Sequence, residues 1–211
     1  MRLYILCEGP TEEHFVKEIL APYLLNSDIL ATPINLGGVS RYAKIRKDLE
    51  TLCKGDPTAF ITSMLDYYKL PNDTPGKETA GDILEKANVI EAAVNANLGG
   101  QRNLLVNLIV HEFEGLLFSD VSAFNGEAKA NDKALLELAH IRSSFPTPEH
   151  INDSEMTAPS KRIKKILPVY SKTLNGIPIA KRIGIDKIAE ECQHFRAWLE
   201  NIKALGQENV Q

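Results

Sequence analysis

Glu8, Asp66, Glu112 and Glu114 each follow the end of an apolar run, and carboxylates in that position can hold a divalent cation. Leu3-Tyr4-Ile5-Leu6-Cys7 leads into Glu8-Gly9-Pro10-Thr11-Glu12, and Ala59-Phe60-Ile61-Thr62-Ser63-Met64-Leu65 ends on Asp66. Leu104-Leu105-Val106-Asn107-Leu108-Ile109-Val110 ends on His111-Glu112-Phe113-Glu114. Carboxylates gathered at one place repel one another, and a hard cation such as Mg²⁺, for which Mn²⁺ can substitute, is the simplest reason to keep them. An ion held by a few carboxylates and by substrate phosphate oxygens promotes phosphoryl transfer. His111 suits a hard cation poorly and reads better as a group that orients a ligand.

The elements that must position these acids are legible as well. Each apolar run has the length and content of a buried strand, and in an open parallel α/β sheet neighbouring strands bring their carboxyl ends to one edge, where ligands bind. A fourth run covers Ile29 to Leu36 and stops at Gly37-Gly38. Helices are expected between them: about Thr11 to Leu25, entered through Pro10; a second capped by Ser40 with Tyr42, Ile45, Leu49 and Leu52 at helical spacing; a third from Ala80 to Leu98, closed by Gly99-Gly100. The order is β-α-β-α-β-α-β. Beyond Glu114 the alternation fades into expected helices over 134–142, from Pro159-Ser160 to about Leu167, and from Ile185 to Ile202, with a loop-like stretch over 143–160. The division is thus an α/β core over 1–120 and a mainly helical extension over 121–211, packed together as one compact domain.

Composition narrows the class. At 211 residues, 44% hydrophobic and 25% charged, the chain reads as an ordinary globular protein able to bury a core. No apolar run approaches the roughly 20 residues that cross a bilayer, and Met1-Arg2-Leu3-Tyr4 enters a strand directly, so the expected setting is cytoplasmic. Cys7, Cys53 and Cys192 are spaced neither as a disulfide framework nor as a zinc ligand set. Net charge is -4, but 161–187 holds eight basic side chains against Asp186 alone, leaving 16 basic and 27 acidic residues elsewhere. A basic segment on an acidic protein can serve a polyanion, here through Lys161, Arg162 and Lys172; the plainer reading is a solvated helix face.

The motifs resemble the Toprim fold of topoisomerases, primases and overcoming-lysogenization-defect (OLD) type nucleases, which has a glutamate-glycine pair after its first strand and acids after later ones. More closely, Glu8-Gly9-Pro10-Thr11-Glu12, Asp66-Tyr67-Tyr68, His111-Glu112-Phe113-Glu114-Gly115-Leu116-Leu117-Phe118, Pro159-Ser160-Lys161-Arg162 and Tyr170-Ser171-Lys172-Thr173 resemble a bacterial Toprim-like family of unknown function, often encoded beside an ATPase in defence-type gene pairs. The resemblance runs from Leu3 to about Ile202. It implies a Toprim-like, mostly parallel sheet flanked by helices. It also implies catalytic Glu8 and Asp66, with Glu112 and Glu114 completing a metal site, and a partner ATPase. A Toprim domain usually carries aspartates two apart, whereas Asp66 is followed by Tyr67 and Tyr68; a second metal would need Glu112 or Glu114.

The expected activity is therefore Mg²⁺-dependent phosphodiester hydrolysis on nucleic acid. The rival is a catalytically silent module that regulates an ATPase. A phosphoacceptor receiver fits less well, because the first strand ends on Glu8-Gly9 instead of paired acids. Glu12 and Glu13 read as first-turn acids favoured by the helix dipole, and Tyr67 and Tyr68 as core cover more than as stacking platforms. The chain lacks a Gly-rich Lys-Ser/Thr phosphate loop, so ATP dependence would come from the partner. Homo-oligomers stay open.

Overall fold

The computed structural model describes residues 1–38, 41–152 and 155–208. Four β-strand positions form one parallel sheet. β1 (Arg2–Cys7), β2 (Leu30–Asn35), β3 (Phe60–Asp66) and β4 (Leu104–Leu105) lie in the order β2-β1-β3-β4, and β5 (Leu108–Ile109) continues the last position against β3. The chain leaves β1 toward β2, then crosses back to β3, so the order reverses between β1 and β3. That reversal opens a crevice at the carboxyl ends of the two strands.

Burial follows the strand period of two. Leu3, Ile5 and Cys7 of β1 join the apolar cluster on one face, while Leu6 joins the other. Helix α1 (10–25, with a π turn over Val16–Leu20) covers the first face through Phe15, Val16 and Leu20. Helices α2 (Tyr42–Gly55) and α3 (Ile83–Asn97) cover the second through Ile45, Leu49, Ala87 and Ile90. Ser40, expected to cap α2, lies outside the described residues. β2 is an edge strand and carries Pro33 opposite Ile5.

The last apolar run does not form one strand. The Ser63 hydroxyl donates to the Asn107 carbonyl at 2.7 Å and accepts from the Asn107 N–H at 3.0 Å, so a side chain stands in for the ladder and separates β4 from β5. The final expected helix is also divided, into α8 (Ile185–Glu191) and α9 (Gln193–Glu208), with Cys192 in extended backbone between them. Glu149 sits at that break and accepts the His194 and Phe195 N–H groups, which gives α9 its own N-terminal cap.

Between these lie α4 (Phe113–Leu116), α5 (Asp132–Ser143), α6 (Pro159–Ile166) and α7 (Ile177–Ile183). Residues after 120 add Phe124, Leu138, Ile179, Phe195 and Trp198 to the cluster that already holds Leu3, Ile5 and Phe15. The Trp198 indole N–H donates to the Thr62 hydroxyl at 2.8 Å, fixing α9 to β3. Among the described residues no helix is long and apolar enough to cross a membrane.

Candidate active site at the carboxyl edge of the sheet

Three of the sequence-predicted acids converge on the crevice between β1 and β3. Glu8 leaves β1 and is 5% exposed; Asp66, the last residue of β3, and Glu114, in the short helix α4, are fully buried. Glu8 Oε2 accepts the Asp66 N–H at 3.3 Å, and Asp66 Oδ1 accepts the Phe113 N–H at 3.1 Å. These bonds tie three chain segments together at one point. Glu112 turns aside: its Oε2 accepts the Ser160 N–H at 3.1 Å, at the start of α6, where the helix dipole favours a negative charge.

Two members of the cluster lie outside the site residues expected from sequence, where Glu12 reads as a first-turn acid favoured by the helix dipole. Glu12 is buried in the first turn of α1, and its Oε2 accepts the Gly9 N–H at 3.1 Å. Glu8 and Glu12 are four residues apart across a strand-to-helix turn, a spacing that returns the second acid to the edge left by the first. Lys69 sits one 3₁₀ turn after Asp66. Its Nζ lies 2.6 Å from Glu8 Oε1 and 3.7 Å from Asp66 Oδ2.

Lys172 arrives from the C-terminal half and lies 2.7 Å from Glu114 Oε2, an ion pair more than an aligned hydrogen bond. Lys161, Arg162 and Lys172 are thus divided. Lys172 enters the acid cluster, whereas Lys161 and Arg162 line a groove of about 650 Å³ between α5 and α6, with Leu136 and Met156 in its wall. Arg162 Nε donates to the Thr157 carbonyl at 2.7 Å.

The electrostatics are those of crowded buried acids. Burial, then the charges of Glu12 and Glu8, hold Asp66 well above the usual carboxylate range, with Lys172 and Lys69 pulling the other way. Glu114 is raised by burial against the pull of Lys172, and Glu12 by burial together with Glu8. Burial disfavours both ammonium groups, yet the carboxylates outweigh it and hold Lys69 and Lys172 above the ordinary lysine value. Four carboxyl groups, of Glu8, Glu12, Asp66 and Glu114, stand against two ammonium groups, and a divalent cation would favour their ionised form.

Asp66 Oδ2 and Glu114 Oε1 are buried and accept no hydrogen bond among the described residues. Buried carboxylate oxygens are seldom left so, and these two fit a hard cation. As they stand, no three acidic, histidine or cysteine side chains among the described residues are placed to grip one ion. The lysines occupy part of the space instead. Tyr170 adds another open group: its hydroxyl is buried without a partner among the described residues, and burial with the charges of Glu114 and Glu112 keeps it protonated. A Cβ on Gly176 would come within 2.7 Å of that hydroxyl, so a side chain there would displace it.

Residues 7–203 match a family model described as a domain of unknown function, DUF4276. The chain belongs to the DUF4276 family. Its match spans every acid and lysine of the cluster. No curated protein is a significant match. The solved C-terminal region of the Xanthomonas campestris pv. campestris OLD protein is similar at 16% identity, with a TM-score of 0.45, covering 98% of this chain and 97% of that one. That likeness is too slight to carry an inference about the site.

Proposed function

We propose that this DUF4276 protein is a Mg²⁺-dependent nuclease, hydrolysing phosphodiesters at the crevice between β1 and β3. The observation that carries the reading is the pair of buried oxygens without a hydrogen bond among the described residues, Asp66 Oδ2 and Glu114 Oε1, set among four acids that face two lysines. Glu8, Glu12, Asp66 and Glu114 would hold the ion. A bound Mg²⁺ supplies a water of lowered pKa and offsets charge developing on the phosphate. Asp66 is fixed in direction by the Phe113 N–H, and Glu8 by the Asp66 N–H. Lys172 pulls Glu114 toward its ionised form, against burial, and presents a cation to the same crevice. The resemblance to families encoded beside an ATPase supports a separate ATPase partner, and defence against phage as the setting.

One observation favours a second reading, a silent regulatory module for that ATPase: Lys69 and Lys172 already pair with Glu8 and Glu114, and the acids are not pre-arranged around one ion. Titrating the whole chain with Mn²⁺ while following thermal unfolding separates the two. The nuclease reading expects a rise in melting temperature that Asp66→Asn removes, and Mn²⁺-dependent cleavage of oligonucleotides, alone or with the ATPase. No rise and no cleavage would leave the regulatory module.

A further inference from the structure

The two segments that carry the acids also carry rings that the acid cluster does not use. Tyr67 and Tyr68 follow Asp66, and His111 precedes Glu112. The Tyr68 N–H donates to the His111 carbonyl at 3.3 Å. The rings of Tyr68 and His111 stack, with centroids 5.2 Å apart and planes at 26°, and Tyr67 stands edge-on to both, at 6.0 Å from Tyr68 and 6.3 Å from His111. His111 holds φ at 63°, a left-handed conformation that residues with a Cβ rarely adopt and that surrounding structure must enforce. The sequence favoured Tyr67 and Tyr68 as core cover; both are half-buried, and Tyr67 does pack against the second apolar cluster.

These rings line a cavity of about 420 Å³, within the range of small-ligand pockets, together with Asp82, Lys86, His150 and Asn152. His150 Nε2 lies 3.4 Å from Asp82 Oδ2, and Asn152 Nδ2 lies 3.4 Å from His111 Nδ1. Burial, with His150 nearby, lowers the His111 pKa to about 4, so its ring is neutral at physiological pH. The wall therefore combines flat ring faces with polar donors and acceptors, and sets the Asp82 carboxylate against the Lys86 ammonium.

We propose that this cavity takes a nucleobase, stacked on the Tyr68 and His111 rings and read at its edge by Asp82, His150 and Asn152. A base has what the cavity matches: a π face for the rings and a polar rim of donors and acceptors for Asp82, Lys86, His150 and Asn152. Asp66 and Glu112 are the chain neighbours of these rings, so a strand with one base here would have its backbone beside the acids. That last step rests on the nuclease reading; the stacking does not.

The test uses the intact chain in EDTA with a single-stranded oligonucleotide carrying 2-aminopurine, whose fluorescence is quenched on stacking. Binding with quenching is expected, weakened about tenfold by Tyr68→Ala and little changed by Tyr68→Phe. His111→Gly removes a ring where the backbone already suits glycine, so it should lose quenching without losing the fold. AMP in competition identifies the source of the base: displacement only at large molar excess over the strand supports a strand-borne base, and displacement at equal concentration supports a free nucleotide. No quenching, or full affinity and quenching in Tyr68→Ala and His111→Gly, would overturn the pocket even if Mn²⁺-dependent cleavage were found. Quenching that persists without any cleavage would sink only the nuclease.

Discussion

Glu149 and Asp66 are both buried carboxylates, but their surroundings follow different rules. Glu149, 3% exposed, gives one oxygen to the His194 N–H and the other to the Phe195 N–H, each at 3.0 Å, and so closes the start of α9. Asp66 satisfies one oxygen with the Phe113 N–H and leaves the other without a hydrogen bond among the described residues. Burial raises the pKa of both, but like charges raise Asp66 further, whereas backbone donors pull Glu149 back. An acid kept for architecture has its lone pairs filled by the backbone. One kept for a ligand has a lone pair to give.

The sharpest way to break this contrast is Glu149→Leu. It strands two N–H groups in a buried setting, at about 1–3 kcal/mol each, and chemical unfolding should register a loss of about 3 kcal/mol. A loss below about 1 kcal/mol would mean that Glu149 is not the cap. Asp66→Asn should behave oppositely. It puts a neutral group of the same shape where the fold already disfavours an ionised carboxyl, and it still accepts from Phe113, so stability in EDTA should be unchanged or higher by about 1 kcal/mol while the Mn²⁺ response disappears. Destabilisation by Asp66→Asn would place it with Glu149.

A weaker effect reads the architecture through pH. His194 Nε2 lies 3.0 Å from Glu91 Oε1 in a buried pair. Burial lowers the His194 pKa, but Glu91 and Glu149 outweigh it and hold it above the ordinary histidine value. Folding then favours the protonated ring, so the pair's contribution is whole below about pH 6.5 and is lost as pH rises through the folded-state pKa. Unfolding free energies measured between pH 6 and 9 should fall with pH, and Glu91→Gln should flatten that fall. The smallest expected change is Glu112→Gln. It should cost about 0.3–1 kcal/mol, as for an acid at a helix N-terminus, and should leave the Mn²⁺ response intact, in contrast to Glu114→Gln.

The sheet was legible because strands buried on both faces read as short continuous apolar runs and because glycines and prolines punctuate them. The carboxyl-edge placement of Glu8 and Asp66 followed from those runs. Glu12 was hidden by a competing explanation, since a first-turn acid is favoured by the helix dipole whether or not it faces a site. Lys69 and the inward turn of Lys172 left no periodic trace, because each depends on one side chain reaching across the fold. The division at Asn107 rests on the Ser63 hydroxyl, 44 residues away, and the break at Cys192 on Glu149. Neither is written in the local sequence.

Pro33 bears on how the molecule meets its own copies. The Leu30 and Leu36 N–H groups donate inward, to Met1 and Cys7 of the β1 segment, so by strand alternation residue 33 faces away from the sheet. That outward position lacks a donor because its residue is proline. A strand from a neighbouring molecule, docking along β2 to lengthen the sheet, would meet a gap in mid-ladder where a growing fibril needs continuity. Pro33→Thr should restore the donor and, at high concentration, turn this quiet border into a template for self-association.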